Sequence, residues 1–156
     1  VVQTIPPGKR LLVEVKCEAG CVEAFAADLA LVADRPDAVT IIGFELPIMA
    51  ACKQRYPQTA VYLVAEQTLA DEQADWEPSI DDLIESAVRA KLDGLDMSNT
   101  LGVDSCTVGK IHKADLDCCI WTVNSVEDGE RLRKAGVDSI TTDDPLLFLD
   151  PDHANR

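Results

Sequence analysis

The chain has 156 residues, 47% of them hydrophobic and 27% charged, a balance ordinary for one globular domain with a real core. Its 28 acidic and 14 basic side chains give a formal net charge of −14. That excludes nonspecific nucleic-acid binding and attachment to an anionic membrane, since either needs a basic patch. No apolar run approaches the about 20 residues of a membrane span, and no signal-peptide pattern opens the chain. The start at Val1, without Met and directly upstream of a strand pattern, reads as a missing N-terminal portion. The six cysteines are expected as free thiols of a reducing cytoplasm, because a domain of this size with an adequate core needs no staples.

In chain order, the Pro6-Pro7-Gly8 turn signal leads into a first strand over 11–16. Val22, Phe25, Ala26, Leu29 and Val32 then recur at helical spacing over 21–33. Val39–Phe44 is a second, continuously apolar strand, and Leu46–Tyr56 is a short helix with Pro47 in its first turn. Ala60–Ala65 is a third strand, followed by a polar connection over 66–77. Ser79 with Asp82 resembles a capping box and opens a helix reaching about Lys91. Leu92–Met97 is a fourth strand, Val103–Lys113 a helix, and Asp117–Val123 a fifth strand. Ser125 with Asp128 caps a helix that closes on Lys134-Ala135-Gly136, a basic last turn and a C-cap glycine. Val137–Thr142 is a sixth strand, and residues 145–149 form a last short helix. One domain over 1–150 with a polar tail over 151–156 results.

Alternation of this kind, with strand starts roughly 20 to 35 residues apart, is that of βα units and a parallel sheet. Four of the six strands are continuously apolar, the signature of burial on both faces. No glycine-rich phosphate loop follows any strand, which weakens the nucleotide-binding open sheets. The predicted fold is α/β, a TIM-type (β/α) barrel. It is incomplete, because a full barrel has eight strands in about 250 residues.

Period two in the first strand places Val13 and Val15 on one face and Leu12, Glu14 and Lys16 on the other. In a sheet covered on both faces, Glu14 and Lys16 point into a buried space, where pairing with each other, a metal or an anion makes them tolerable. At a strand end, both simply reach solvent.

Ile5-Pro6-Pro7-Gly8-Lys9 with Leu12-Val13-Glu14-Val15-Lys16 resembles the Pro-x-Gly-x-x-hydrophobic-Glu-hydrophobic-Lys strand of the glycerophosphodiester phosphodiesterase family. Trp121-Thr122-Val123-Asn124, followed by Gly136-Val137-Asp138 and Thr142-Asp143-Asp144-Pro145, resembles that family's closing signature. The resemblance implies hydrolysis of a glycerophosphodiester to glycerol 3-phosphate and an alcohol, with a divalent cation, Mg²⁺ or Ca²⁺. It implies that the six strands match the third to eighth of the barrel. It makes Glu14 a metal ligand, Lys16 a phosphate contact and Trp121 a substrate-pocket residue, although Trp121 equally suits packing between strand and helix. The family's His-Arg-Gly motif, second histidine and two further carboxylates belong to the first two strands, and no match to them is present. His112 and His153 fall elsewhere, as surface residues, and Gly43 stands where the family has a serine. Asp143 and Asp144 are expected to cap the following turn. No catalytic residue is therefore assigned, and the chain alone is expected to be inactive. The alternative is a non-catalytic barrel that binds or assembles, self-associating through exposed sheet edges.

Overall fold

The apolar runs become strands that the rest of the chain covers. In the computed structural model, which describes residues 1–16, 19–69, 76–100 and 102–148, six of them form one sheet: β1 (Leu11–Glu14), β2 (Val39–Gly43), β3 (Ala60–Ala65), β6 (Gly94–Ser98), β7 (Asp117–Trp121) and β8 (Ser139–Ile140). Their order is β1-β2-β3-β6-β7-β8, and every neighbouring pair is parallel. All of β3 except its first residue is buried, as is most of β2, β6 and β7, in accord with the apolar run of β3 and with the presence of Asp96 as a buried exception in β6. The polar tail, His153 and Cys17 lie outside the described residues.

The connections are α1 (Ala26–Ala30), α2 (Leu46–Arg55), α3 (Ile80–Arg89), α4 (Ser105–Lys113) and α5 (Val126–Ala135). Three of them begin where a side chain supplies the acceptor a helix start lacks. Ser79 Oγ accepts from the amide of Asp82, Asp104 Oδ1 from that of Thr107, and Ser125 Oγ from that of Asp128. Gly136 ends α5 with φ +94°, a left-handed value that costs glycine little. Two expectations change. The helix expected over 21–33 is a 3₁₀ stretch, Ala19–Phe25, leading into the short α1, with Val22 and Val32 still carried inside. The connection over 66–77 contains a two-residue hairpin, β4 (Thr68–Leu69) with β5 (Trp76–Glu77), in which Leu69 faces Trp76.

The two faces of the sheet differ. Val15, Ile41, Val61, Leu63, Leu95, Met97, Cys118 and Ile120 share one apolar core with Met49, Leu83, Ala87, Val108, Ile111 and Leu132 of the helices. The other face follows the register Glu14, Ile42, Tyr62, Gly94, Asp117 from strand to strand. This second face is concave. Phe44, just past β2, and Trp121 of β7 are separated by two intervening strands, which in a flat sheet is roughly 14 Å. Their rings meet edge to face with centroids 6.0 Å apart. The sheet is thus a curled, incomplete (β/α) barrel, as the strand pattern predicts, with β1 and β8 paired on one side only.

Gly94 sets the floor of the bowl. Its missing side chain lets the ring of Tyr62 lie across β6, so that the Tyr62 hydroxyl donates to Asp117 Oδ2 at 2.5 Å. Burial, and then this bond, hold the phenol well above its usual range. Arg10 Nη1 approaches the same hydroxyl at 3.5 Å. A Cβ at residue 94 would stand 2.8 Å from the Asp117 carbonyl and 2.9 Å from the Tyr62 ring. Gly94→Ala is therefore expected to destabilise the chain by about 1–3 kcal/mol, read as a lower urea midpoint. Tyr62→Phe in the same background recovers none of that loss, because the backbone contact remains.

Candidate functional site

The C-terminal ends of the strands bring three sequence-picked residues to the rim of the concave face. Glu14 ends β1, and Lys16 follows two residues later. Their side chains pair with Nζ 3.2 Å from Oε2, with Lys16 76% and Glu14 33% exposed. Each alternative left by the sequence is therefore partly realised: the carboxylate lies on the concave face, and the ammonium stands out at the rim. A pair this exposed contributes about 0–1 kcal/mol to stability, so Lys16 is free to exchange Glu14 for another anion at small cost.

Trp121 lies on the concave side, level with Ser98 of β6, and takes no part in the core between sheet and helices. Its indole Nε1 donates to the carbonyl of Asp96 at 3.0 Å, and Phe44, 48% exposed, braces its ring. The Trp121–Thr122 peptide is cis. At Gly43 a Cβ would stand 2.8 Å from the flexible Met49 Cε of α2 and 3.2 Å from the Val15 carbonyl, so this position, where the family has a serine, faces the helix layer.

Asp96 is the residue that the motif does not assign. It belongs to the same concave row as Cys119 of β7 and Val64 of β3 and is 2% exposed. Its Oδ1 is buried without a hydrogen-bond partner. Burial first, and the charge of Glu14 second, push its carboxyl up to about 6. The second influence shows that the curl brings β6 within electrostatic reach of β1. Period two along 94–98 puts Gly94, Asp96 and Ser98 on one face, which was the available signal. A lone Asp between Leu95 and Met97 does not announce itself without the register.

Other groups stand apart. His112 of α4 pairs with Asp138 at 3.0 Å on the helix side, as expected for a surface residue. Asp144 Oδ1 accepts from the amide of Leu146 and so caps the following turn, whereas Asp143 Oδ2 accepts from the Asn124 side chain and ties that turn to the end of β7. Cys118 and Cys119 are buried thiols pushed up to about 12, chiefly by burial, and do not ionise near neutrality. Cys52 and Cys106 are also free, whereas Cys21 is disulfide-bonded, against the expectation of free thiols throughout. A cleft of about 980 Å³ lies between the β4–β5 hairpin and the starts of α3 and α4. None of Glu14, Lys16, Asp96 and Trp121 lines it.

Among the described residues, no three His, Cys, Asp or Glu side chains gather closely enough to hold a metal ion. What the concave face offers a divalent cation is a pair of hard oxygen donors, Glu14 and the orphaned Asp96, of the kind Mg²⁺ and Ca²⁺ take. These two fit as part of a coordination sphere, not the whole of one.

The family model for the glycerophosphoryl diester phosphodiesterase family matches residues 13–147. This chain belongs to that family. Among curated proteins none matches it. Among solved structures, a Silicibacter pomeroyi protein assigned to the glycerophosphoryl diester phosphodiesterases superposes with a TM-score of 0.69 at 24% identity, over 87% of this chain and 47% of its own. A glycerophosphodiester phosphodiesterase of Thermotoga maritima gives 0.65 at 19%, over 94% and 59%. An Oleispira antarctica phosphodiesterase, solved with the product sn-glycerol-3-phosphate, gives 0.63 at 18%, over 86% and 51%. At these identities the likeness concerns the fold, and the chain spans roughly half the length of each of these structures.

The raised carboxyl of Asp96 has a measurable signature. A carboxyl whose folded value lies above its unfolded one binds protons on folding. Its contribution to stability is whole below about pH 4 and is lost as pH rises through about 6. With a chelator present, Asp96→Asn is therefore expected to be more stable than the parent at pH 7.5 by about 1–3 kcal/mol, the gap narrowing toward pH 4. Urea unfolding across that range reads it, and equal stabilities at pH 7.5 would contradict a buried ionised Asp96.

Proposed function

We propose that this chain carries one side of a site that hydrolyses phosphoric diesters, converting a glycerophosphodiester to glycerol 3-phosphate and an alcohol with a divalent cation, Mg²⁺ or Ca²⁺. The observation that supports this most is the gathering of Glu14, Lys16 and Trp121 at one rim of the concave face, at positions matching the family's motif. A bound cation stabilises charge on the phosphoryl oxygens and lowers the pKa of a water or hydroxyl.

Glu14 holds that cation, as a hard and partly open oxygen donor. Lys16, past the strand end, turns its ammonium from Glu14 to a phosphate oxygen as a point charge. Trp121 presents an apolar wall to the glycerol moiety and is fixed there by its bond to the Asp96 carbonyl. Proton delivery to the leaving alcohol needs an acid near neutrality, usually histidine. His112 points away from this face toward Asp138 and does not serve. Glycerol 3-phosphate in the Oleispira antarctica relative supports the substrate class.

With no histidine among the described residues at the rim, the 156-residue chain is expected to give no turnover of glycerophosphocholine in Mg²⁺ or Ca²⁺. It is nevertheless expected to bind sn-glycerol 3-phosphate in the presence of the metal, about five- to tenfold more weakly after Lys16→Ala. Turnover by this chain that Glu14→Gln abolishes would overturn the half-site reading; binding indifferent to Lys16 would remove that residue's role.

A second reading has its own support. Among the described residues β1 and β8 each pair on one side only, and exposed strand edges invite pairing with another chain. On this reading the chain is a non-catalytic module that self-associates. Sedimentation decides it, because a monomer across a hundredfold range of concentration, on the order of micromolar and below, speaks against edge pairing. No helix among the described residues is long and apolar enough to cross a membrane. Four free thiols support a reducing compartment such as the cytoplasm, and the bonded Cys21 speaks against it.

A further inference from the structure

Three buried side-chain oxygens of the described residues have no hydrogen-bond partner: Thr40 Oγ1, Thr100 Oγ1 and Asp96 Oδ1. Two are hydroxyls. Only Asp96 belongs to a group that ionises, and it is 2% exposed on the concave face. Lys16 is already paired with Glu14, and among the described residues no cation pairs with Asp96. A buried carboxylate without a counter-charge is expensive in any fold. A buried unsatisfied group of this kind calls for an explanation, and an ion held there is one.

The surroundings narrow what that partner is. Asp96 offers only oxygen, as does Glu14, and the register places both side chains on the concave face of a sheet whose curl brings residues of separate strands together. Two like charges facing one space are relieved by a small, doubly charged cation more fully than by an ammonium. Trp121 holds the strand at this point, because its indole Nε1 is tied to the Asp96 backbone carbonyl. That leaves the Asp96 side chain free of backbone duties.

We propose that Asp96 is a second carboxylate donor for the divalent cation of which Glu14 is the other donor on this chain. The inference rests on the proposed role of Glu14 and extends it to a strand on which the motif places no ligand. Two carboxylates with the remaining positions filled by water or substrate oxygens suit Mg²⁺, which keeps several waters when protein-bound.

The test uses Mn²⁺ as the probe and the 156-residue chain as it stands. Binding is followed by loss of the free-ion electron paramagnetic resonance signal and by the Mn²⁺-induced rise in melting temperature. The parent is expected to bind one ion, and both Glu14→Gln and Asp96→Asn to weaken it by at least about tenfold, since even an outer partner of a ligand costs that much. Asp96→Asn should also melt no lower than the parent without metal, yet lose the Mn²⁺-induced rise; a merely structural Asp96 would not separate these two readouts. If Glu14→Gln weakens binding and Asp96→Asn leaves it unchanged, the inference falls while the role of Glu14 stands. If neither variant matters, or the parent binds no Mn²⁺, both fall. Should Asp96→Asn not fold, Asp96→Ser is read by the same criteria.

Discussion

The six parallel strands bury one face under the helices, and the shape of the molecule follows from that one-sided covering. Ile41, Val61, Leu95 and Ile120 leave water only because Met49, Leu83, Val108 and Leu132 close over them. The right-handed twist of the strands and the helices outside them curl the sheet away from the helix layer. Aromatic side chains from β7 and the end of β2 then meet across the hollow. Without that layer, the charged and polar row along Glu14, Tyr62 and Asp117 would line an ordinary wet face and enclose nothing.

Polar groups on the inner face are managed in two ways. Some are paired with each other: Tyr62 with Asp117, and the Ser139 hydroxyl donating to Cys119 Sγ at 3.0 Å. Elsewhere pairing is loose or missing: Lys16 meets Glu14 only in an exposed pair, and Asp96, level with Cys119, is buried with its Oδ1 orphaned.

Much of the fold was legible from the chain because its signals are local. Unbroken apolar runs marked β2 and β3, Ser79 and Ser125 marked helix starts, and Gly136 marked a helix end. The hairpin at Leu69 and Trp76 was not, since two-residue strands have no period to detect. Of the proposed site, Glu14, Lys16 and Trp121 could be picked from the chain because a motif carries them. Asp96 and Phe44 owe their places to the curl, which sets residues of distant strands face to face. Nothing in the order of residues along one strand encodes that distance.

The Tyr62 ring lying over Gly94 also closes the bowl from beneath. The rim where Phe44 and Trp121 stand lies at the opposite, C-terminal end of the strands. The two ends therefore answer to different side chains: a change at Gly94 is felt in packing, and a change at Phe44 in what the open rim presents to solvent.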